Sequence, residues 1–416
     1  MGTIGIQLGA KGATLVTAIL FARALGPEEF GRYGFVMSII TLAALPTVAG
    51  LPQLLVREIS QYTLYGQNAL LSGLLKWSNR YVLLISMFSI IIIYTLAVLN
   101  LWDEAVKALI LSAFLLIPLK GGLSRQGAVI NGFHRPELAQ LPTLVLAPIF
   151  ALLVSSWLYF YTSEDLTSQK LVYIQIFAHI SAAFLGIMIV NLVTRQSVAI
   201  TTPIYRIKKW HKALLPFTII TVVGTMNSEL TTVMLGFFGF EESIGYFRVA
   251  VTGMTVLALS LTAVNSVSGP KIASLYKQKN LDETQNVLTQ SVRLSVMTSV
   301  PLAGFLILFG EYFISFLFGK EYIPAASILS ILCVGQIVNV SMGSVGLVLN
   351  MTGNEKFALR AQLFNLVLMI GLLVTLVPFY QGIGAAIAVS SGMVFWNLLM
   401  AYDVYRLTGL KTWIRF

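Results

Sequence analysis

Apolar runs of roughly twenty residues recur at near-even intervals from Gly5 to the tail, and this recurrence most narrows what the chain can fold into. Each run is long enough to cross a hydrocarbon core of about 30 Å as a helix. Lipid offers no partner to backbone N–H and C=O groups, so spanning segments are helices or closed-barrel strands. Runs this long, without period-two alternation, are helices. Composition agrees, with 57% hydrophobic and 11% charged residues against about 25% charged in an ordinary soluble domain. The chain is therefore expected to be an all-α polytopic membrane protein with about twelve transmembrane helices and no sizeable domain outside the bilayer.

Windows bounded by charge, Gly or Pro place spans at about 4–24, 33–55, 79–100, 106–125, 138–160 and 171–193, and again at 213–237, 245–268, 291–310, 324–349, 360–379 and 382–402. The window from Tyr81 to Leu101 holds no charge, whereas the ninth is interrupted by Pro301. The first run has no basic leader and continues past Lys11, so it reads as a retained helix rather than a signal peptide. The lone Cys333 excludes an intramolecular disulfide and a cysteine metal cluster.

A net charge of +10 suggests nucleic acid in a soluble protein, but in a membrane protein it is better read as orientation bias. With the N-terminus in the cytoplasm, twenty of the 27 Lys and Arg residues fall on inner connections and the tail, six fall outside, and Lys11 is intramembrane. The positive-inside rule then puts both termini in the cytoplasm of a multi-pass inner (plasma) membrane protein. Outer connections are short and acidic: Glu28-Glu29, Asp103-Glu104, Glu164-Asp165 and Glu241-Glu242. Two inner connections read as interfacial amphipathic elbows, 57–76 and 271–293, the second carrying Asp282 and Gln285 in a capping-box pattern. Trp77, Trp102, Trp157, Trp210 and Trp413 sit near span ends and read as interfacial anchors.

The halves echo one another. Leu25-Gly-Pro-Glu-Glu-Phe-Gly-Arg-Tyr33, after span one, is matched after span seven by Phe238-Gly-Phe-Glu-Glu-Ser-Ile-Gly-Tyr246, and 131–139 is more weakly matched by 350–358. Six spans per half is an even number, so the halves share one orientation across the membrane. The expected division is a first six-helix bundle over 1–195, a basic cytoplasmic linker over 196–212 and a second six-helix bundle over 213–416.

The run Leu20-Phe-Ala-Arg-Ala-Leu-Gly-Pro-Glu-Glu-Phe-Gly-Arg-Tyr33, followed by Gly50-Leu-Pro-Gln-Leu-Leu-Val-Arg-Glu-Ile59, resembles the polysaccharide (O-antigen or repeat-unit) flippases of the multidrug/oligosaccharidyl-lipid/polysaccharide (MOP) exporter superfamily. The span count and inner elbows fit along the whole chain, while the first sixty residues carry most of the specificity. The resemblance implies two pseudo-symmetric bundles and alternating access. It also implies movement of an undecaprenyl-diphosphate-linked oligosaccharide from the cytoplasmic to the outer leaflet, with polysaccharide-assembly proteins as possible partners and no nucleic acid. The alternative is a multidrug or small-molecule exporter of the same superfamily.

On that reading Lys11, Arg57 and Arg248 are candidate donors to the substrate diphosphate, with Lys120, Arg125 and Arg293 as further candidates near the inner interface. An uncompensated Lys near a span centre costs about 2.5–3.5 kcal/mol, so Lys11 is expected to face a cavity or a partner. The alternatives are a structural pair with Glu229, snorkelling, or topology anchoring. Glu229, in Met226-Asn-Ser-Glu-Leu-Thr231, is the one acid deep in an expected span and is the candidate for coupling to protons or sodium ions. His179 reads as a packing residue. Prolines at 46, 52, 118, 142, 148, 216 and 301 are candidate bends. No cofactor, metal site or catalytic residue is expected, because the outer loops are short and no nucleophile, phosphate-loop or metal-ligand motif is present.

Overall fold

The structure, a computed structural model, describes residues 2–99, 102–161, 166–195 and 202–414. Arg415, Phe416, the acidic pair Glu164-Asp165 and 196–201 of the expected linker lie outside the described residues. Among the described residues there is no strand. The chain runs α1 (Gly2–Val48), α2 (Leu51–Leu64), α3 (Asn68–Val98), α4 (Glu104–Ala113), α5 (Leu116–Gly132), α6 (Pro136–Gln140), a π-helical turn (Leu141–Leu146), α7 (Ala147–Tyr161) and α8 (Ser168–Thr194). It continues with α9 (Ile207–Phe237), α10 (Glu241–Lys277), α11 (Leu281–Leu317), a 3-10 turn (Lys320–Tyr322), α12 (Ala325–Met342), α13 (Val345–Met351) and α14 (Glu355–Thr408).

Among the described residues, ten helical stretches are long and apolar enough to cross a membrane. Two of them, Gly5–Leu64 and Glu355–Thr408, are 60 and 54 residues long, about twice what one crossing needs. Each is broken near its middle: α1 at Gly26 (φ 74°, ψ 172°) and α14 at Gln381 (φ 46°, ψ −125°). Counting these two as double crossings gives the twelve passes read from the sequence. The protein is a multi-pass membrane protein.

The chain forms two compact units, one of 1–25 with 32–225 and one of 26–31 with 226–416. The boundary near Thr225 cuts α9 in half, later than the 196–212 linker chosen from charge alone. The first half of α9 carries Trp210 and Leu214 into a core with Leu51, Leu54, Leu55, Ile59, Leu71, Leu74 and Trp77, and this holds it in the first unit. The second unit has its own core of Ile272, Leu288, Val348, Leu349, Ala361 and Val404.

The two halves of the sequence share turn geometry at matched positions. Gly26 and Gly239, at the start of the echoed turns, have φ of 74° and 77°. The same offset relates Gly66 (64°) to Lys279 (59°), and the weaker echo relates His134 (61°) to Gly353 (76°). Left-handed backbone is uncommon outside glycine, so three coincidences in register support an internal duplication.

Several local expectations are corrected. The first elbow is α2, which starts at Leu51 because Gly50 (φ 75°) and Pro52 end the preceding span, while Leu70, Leu71 and Leu74 belong to α3. The cap of α11 is Asn280, whose side chain accepts from the Glu283 N–H at 3.2 Å, rather than Asp282. Pro301 does not interrupt α11, whose non-helical residue is Phe309. Trp77 and Trp210 are core residues with ring centroids 5.2 Å apart, not interfacial anchors.

Candidate functional site

The amphipathic face of α2 buries Leu51, Leu54, Leu55, Glu58, Ile59 and Tyr62. Glu58 is the one carboxylate on that face, and its side chain is 1% exposed. Such burial is costly for an unpaired charge, and two cations compensate it. Arg57 Nη2 donates to Glu58 Oε1 at 2.9 Å, and Lys209 Nζ, from the first turn of α9, donates to Oε2 at 3.3 Å. One turn along α2, the Tyr62 hydroxyl accepts from Trp210 Nε1 at 3.1 Å. The Arg57 guanidinium also lies 5.7 Å from the centroid of the Phe217 ring. Arg57 and Lys209 remain 41% and 51% exposed, so a single buried acid orients two half-solvated bases and the trio keeps a net positive charge. That arrangement suits an anion with several oxygens, since both heads still have N–H groups to donate.

The other candidate bases of the first unit are placed separately. Lys120, on α5, donates to Thr41 Oγ1 on α1 at 2.7 Å. Arg125, one turn further, donates from Nε to Ser78 Oγ and from Nη2 to the Leu75 carbonyl, both at 2.9 Å, bracing α5 against α3 with neutral acceptors. Lys11 is exposed on the first half of α1, where a methyl group built on Gly5, Gly9 or Gly12 would meet nothing within 4 Å. His179 Nδ1 lies 2.7 Å from the Gln175 carbonyl one turn earlier, as a packing residue would.

In the second unit Glu229 is half-buried on α9. Beside it in sequence, Asn227 accepts at Oδ1 from Asn365 Nδ2 at 2.9 Å, joining α9 to α14. Asn365 is buried. Arg248 is half-buried in α10, and Arg293 is exposed near the start of α11. Among the described residues no group of three His, Cys, Asp or Glu side chains is placed to hold a metal ion.

Sequence reasoning missed Glu58, which sits inside the Val56-Arg-Glu-Ile59 run, and the pair of Arg360 with Asp403, whose Nη2 lies 2.8 Å from both carboxylate oxygens. An acid next to a base in sequence reads as a solvated pair. The available signal for Glu58 was helical spacing, since it stands one turn before Tyr62 on the apolar face of α2.

A family model described as "Polysaccharide biosynthesis protein" matches residues 2–276. The capsular polysaccharide biosynthesis protein CapF of Staphylococcus aureus is 26% identical over 195 residues, 46% of this chain and 48% of that protein. The teichuronic acid biosynthesis protein TuaB of Bacillus subtilis is 24% identical over 258 residues, 55% and 53% of the two chains. A probable low-salt glycan biosynthesis flippase of Haloferax volcanii, Agl15, is 22% identical over 191 residues, 46% and 40%. The chain thus spans about half the length of the curated relatives it matches. Among solved structures, the lipid II flippase MurJ in an inward closed conformation superposes with a TM-score of 0.77 at 17% identity, over 97% of this chain and 87% of that one. An inward-facing multidrug resistance MATE family transporter superposes with a TM-score of 0.76 at 14% identity, over 98% of both chains. With its fold shared by transporters of the MOP superfamily and the family model spanning well over half its length, the chain belongs to the polysaccharide biosynthesis protein family.

Proposed function

We propose that this protein is a flippase carrying an undecaprenyl-diphosphate-linked oligosaccharide from the cytoplasmic to the outer leaflet by alternating access, with both termini in the cytoplasm. The observation that carries this reading is the trio of Arg57, Glu58 and Lys209: two half-exposed bases fixed on one buried acid, in a family of polysaccharide biosynthesis proteins. A diphosphate offers several oxygens and a delocalised charge, which the planar Arg57 head meets in bidentate fashion while Lys209 adds a point charge. Lys11, Lys120, Arg125, Arg248 and Arg293 serve as additional contacts along the substrate's path. Glu229 couples the cycle to protons or sodium ions by changing its charge as it takes up either, biasing the two access states. Polysaccharide-assembly proteins supply the substrate and take up the product.

In cells that depend on this protein for surface polysaccharide, Arg57→Ala and Lys11→Ala should each abolish export at unchanged membrane level, while Arg57→Lys and Lys11→Arg keep part of it. Normal export by both Ala variants would remove the diphosphate-binding reading. The multidrug reading is favoured by the likeness to MATE transporters and predicts ethidium efflux from the same cells.

A further inference from the structure

The segment that leads into α9 lies directly on α3, within the first unit. The Ile204 N–H donates to the Ala69 carbonyl, in the first turn of α3, at 2.9 Å. One turn further along α3, a methyl group built on Gly73 would lie 1.9 Å from the Ile204 carbonyl oxygen and 2.8 Å from its carbon. Gly73 is buried inside α3 and its φ is not positive, so its conformational freedom is not what the position requires. Glycine is a poorer helix former than alanine, and here the missing side chain is what lets the incoming strap lie against the helix.

The sequence of α9 does little to fix its own start. Its first turn holds no acid, while Arg206, Lys208, Lys209 and Lys212 crowd that end. Cations are disfavoured at the positive end of a helix and repel one another there. Arg206, immediately before the helix, has no acceptor with which to cap it. The register of α9 is set instead by its contacts with the rest of the first unit, two of which need a glycine: Ile204 on Gly73 before the helix, and Thr218 against Gly50 further along. Lys209 and Trp210, which meet Glu58 and Tyr62, lie between these two contacts. Phe217, whose ring faces the Arg57 guanidinium, adjoins the second.

We infer that Gly73 is a positioning residue of the anion site: by admitting the Ile204 carbonyl against α3 it fixes where α9 begins, and so holds Lys209 on Glu58. It touches no substrate and acts only through Lys209, five residues beyond the strap. The inference rests on the flippase reading for its effect on transport, but not for its effect on Lys209. Because alanine favours a helix interior over glycine, Gly73→Ala strengthens α3 itself, and any loss it causes arises at the strap.

The test measures transfer of a lipid-linked oligosaccharide by the full chain in sealed vesicles. Lys209→Gln and Gly73→Ala should each raise the half-saturating substrate concentration about tenfold, the worth of one charge-assisted contact, with the maximal rate near native. The double variant should be no worse than either, because both remove the same contact. Losses that multiply in the double variant overturn the proposal, as does native half-saturation in Gly73→Ala. If Gly73→Ala fails to accumulate, Ile204→Pro removes the N–H given to Ala69 while leaving α3 intact, and the same outcomes decide. If the native protein moves no lipid-linked sugar, or Lys209→Gln transports normally, the reading of the site fails and the strap is judged by amine labelling. Lys209 should then be acylated severalfold faster by an N-hydroxysuccinimide ester in Gly73→Ala than in the native chain, relative to the exposed Lys208 and Lys212. Equal labelling of Lys209 in the two proteins contradicts the inference.

Discussion

At the scale of single residues, the charges inside the units divide by what each leaves behind when its partner is removed. Asp403 is 1% exposed while its partner Arg360 is 43% exposed and stacks 5.1 Å from the Phe357 ring. Truncating the arginine strands a buried carboxylate, at a cost of about 3–5 kcal/mol. Truncating the aspartate leaves a guanidinium that water can reach, at a cost of about 1–3 kcal/mol. Arg360→Ala should therefore lower the thermal midpoint in detergent more than Asp403→Ala does, and equal losses would contradict this asymmetry. The same distinction explains what the sequence revealed of the site. Arg57, Lys120 and Arg125 stand out as bases in apolar surroundings, and the structure places each beside a specific acceptor. Glu58 and Asp403 do not stand out, because burial of one acid among many hydrophobic neighbours is a property of packing. The pairing of Lys209 with Glu58 joins residues 151 apart, which no local pattern encodes.

At the scale of elements, the spans were legible and their joints were not. Hydropathy finds a helix that faces lipid because lipid imposes one requirement along its whole length. The joints answer to individual contacts instead. Gly50 ends the second span in left-handed backbone, and a methyl group there would lie 2.6 Å from Thr218 Oγ1 and 2.7 Å from the Thr218 nitrogen, where α9 passes. The start of the α2 elbow is thus fixed by a helix more than 150 residues later. Gly50→Ala adds backbone strain of order 1–3 kcal/mol to that overlap and should loosen α2 from α9. Faster hydrogen exchange across 51–64 with unchanged exchange in α11 is the expected result, and uniform protection would show that the joint tolerates a side chain. In a similar way, the Asn280 cap displaces the Asp282 capping box because Lys279 turns left-handed just before it.

At the scale of the whole molecule, the echoed halves were visible in short motifs, and the matched left-handed turns give them a physical basis. The division between units was not visible, since half of α9 is tied to the first unit by buried Trp210 and Leu214 rather than by charge. The proposed orientation predicts that reporters at Gln61, Thr202 and Lys279 appear in the cytoplasm and reporters at Thr167 and Phe240 outside. An odd distribution among these five positions would remove the twelve-pass arrangement. The most direct measurement is made on purified protein in sealed vesicles loaded on one leaflet with an undecaprenyl-diphosphate-linked oligosaccharide, with an impermeant glycosidase reporting arrival in the other. The account predicts transfer by the native protein, loss of transfer with Arg57→Ala at equal incorporation, and partial transfer with Arg57→Lys. No transfer by the native protein, or transfer indifferent to Arg57, would contradict it.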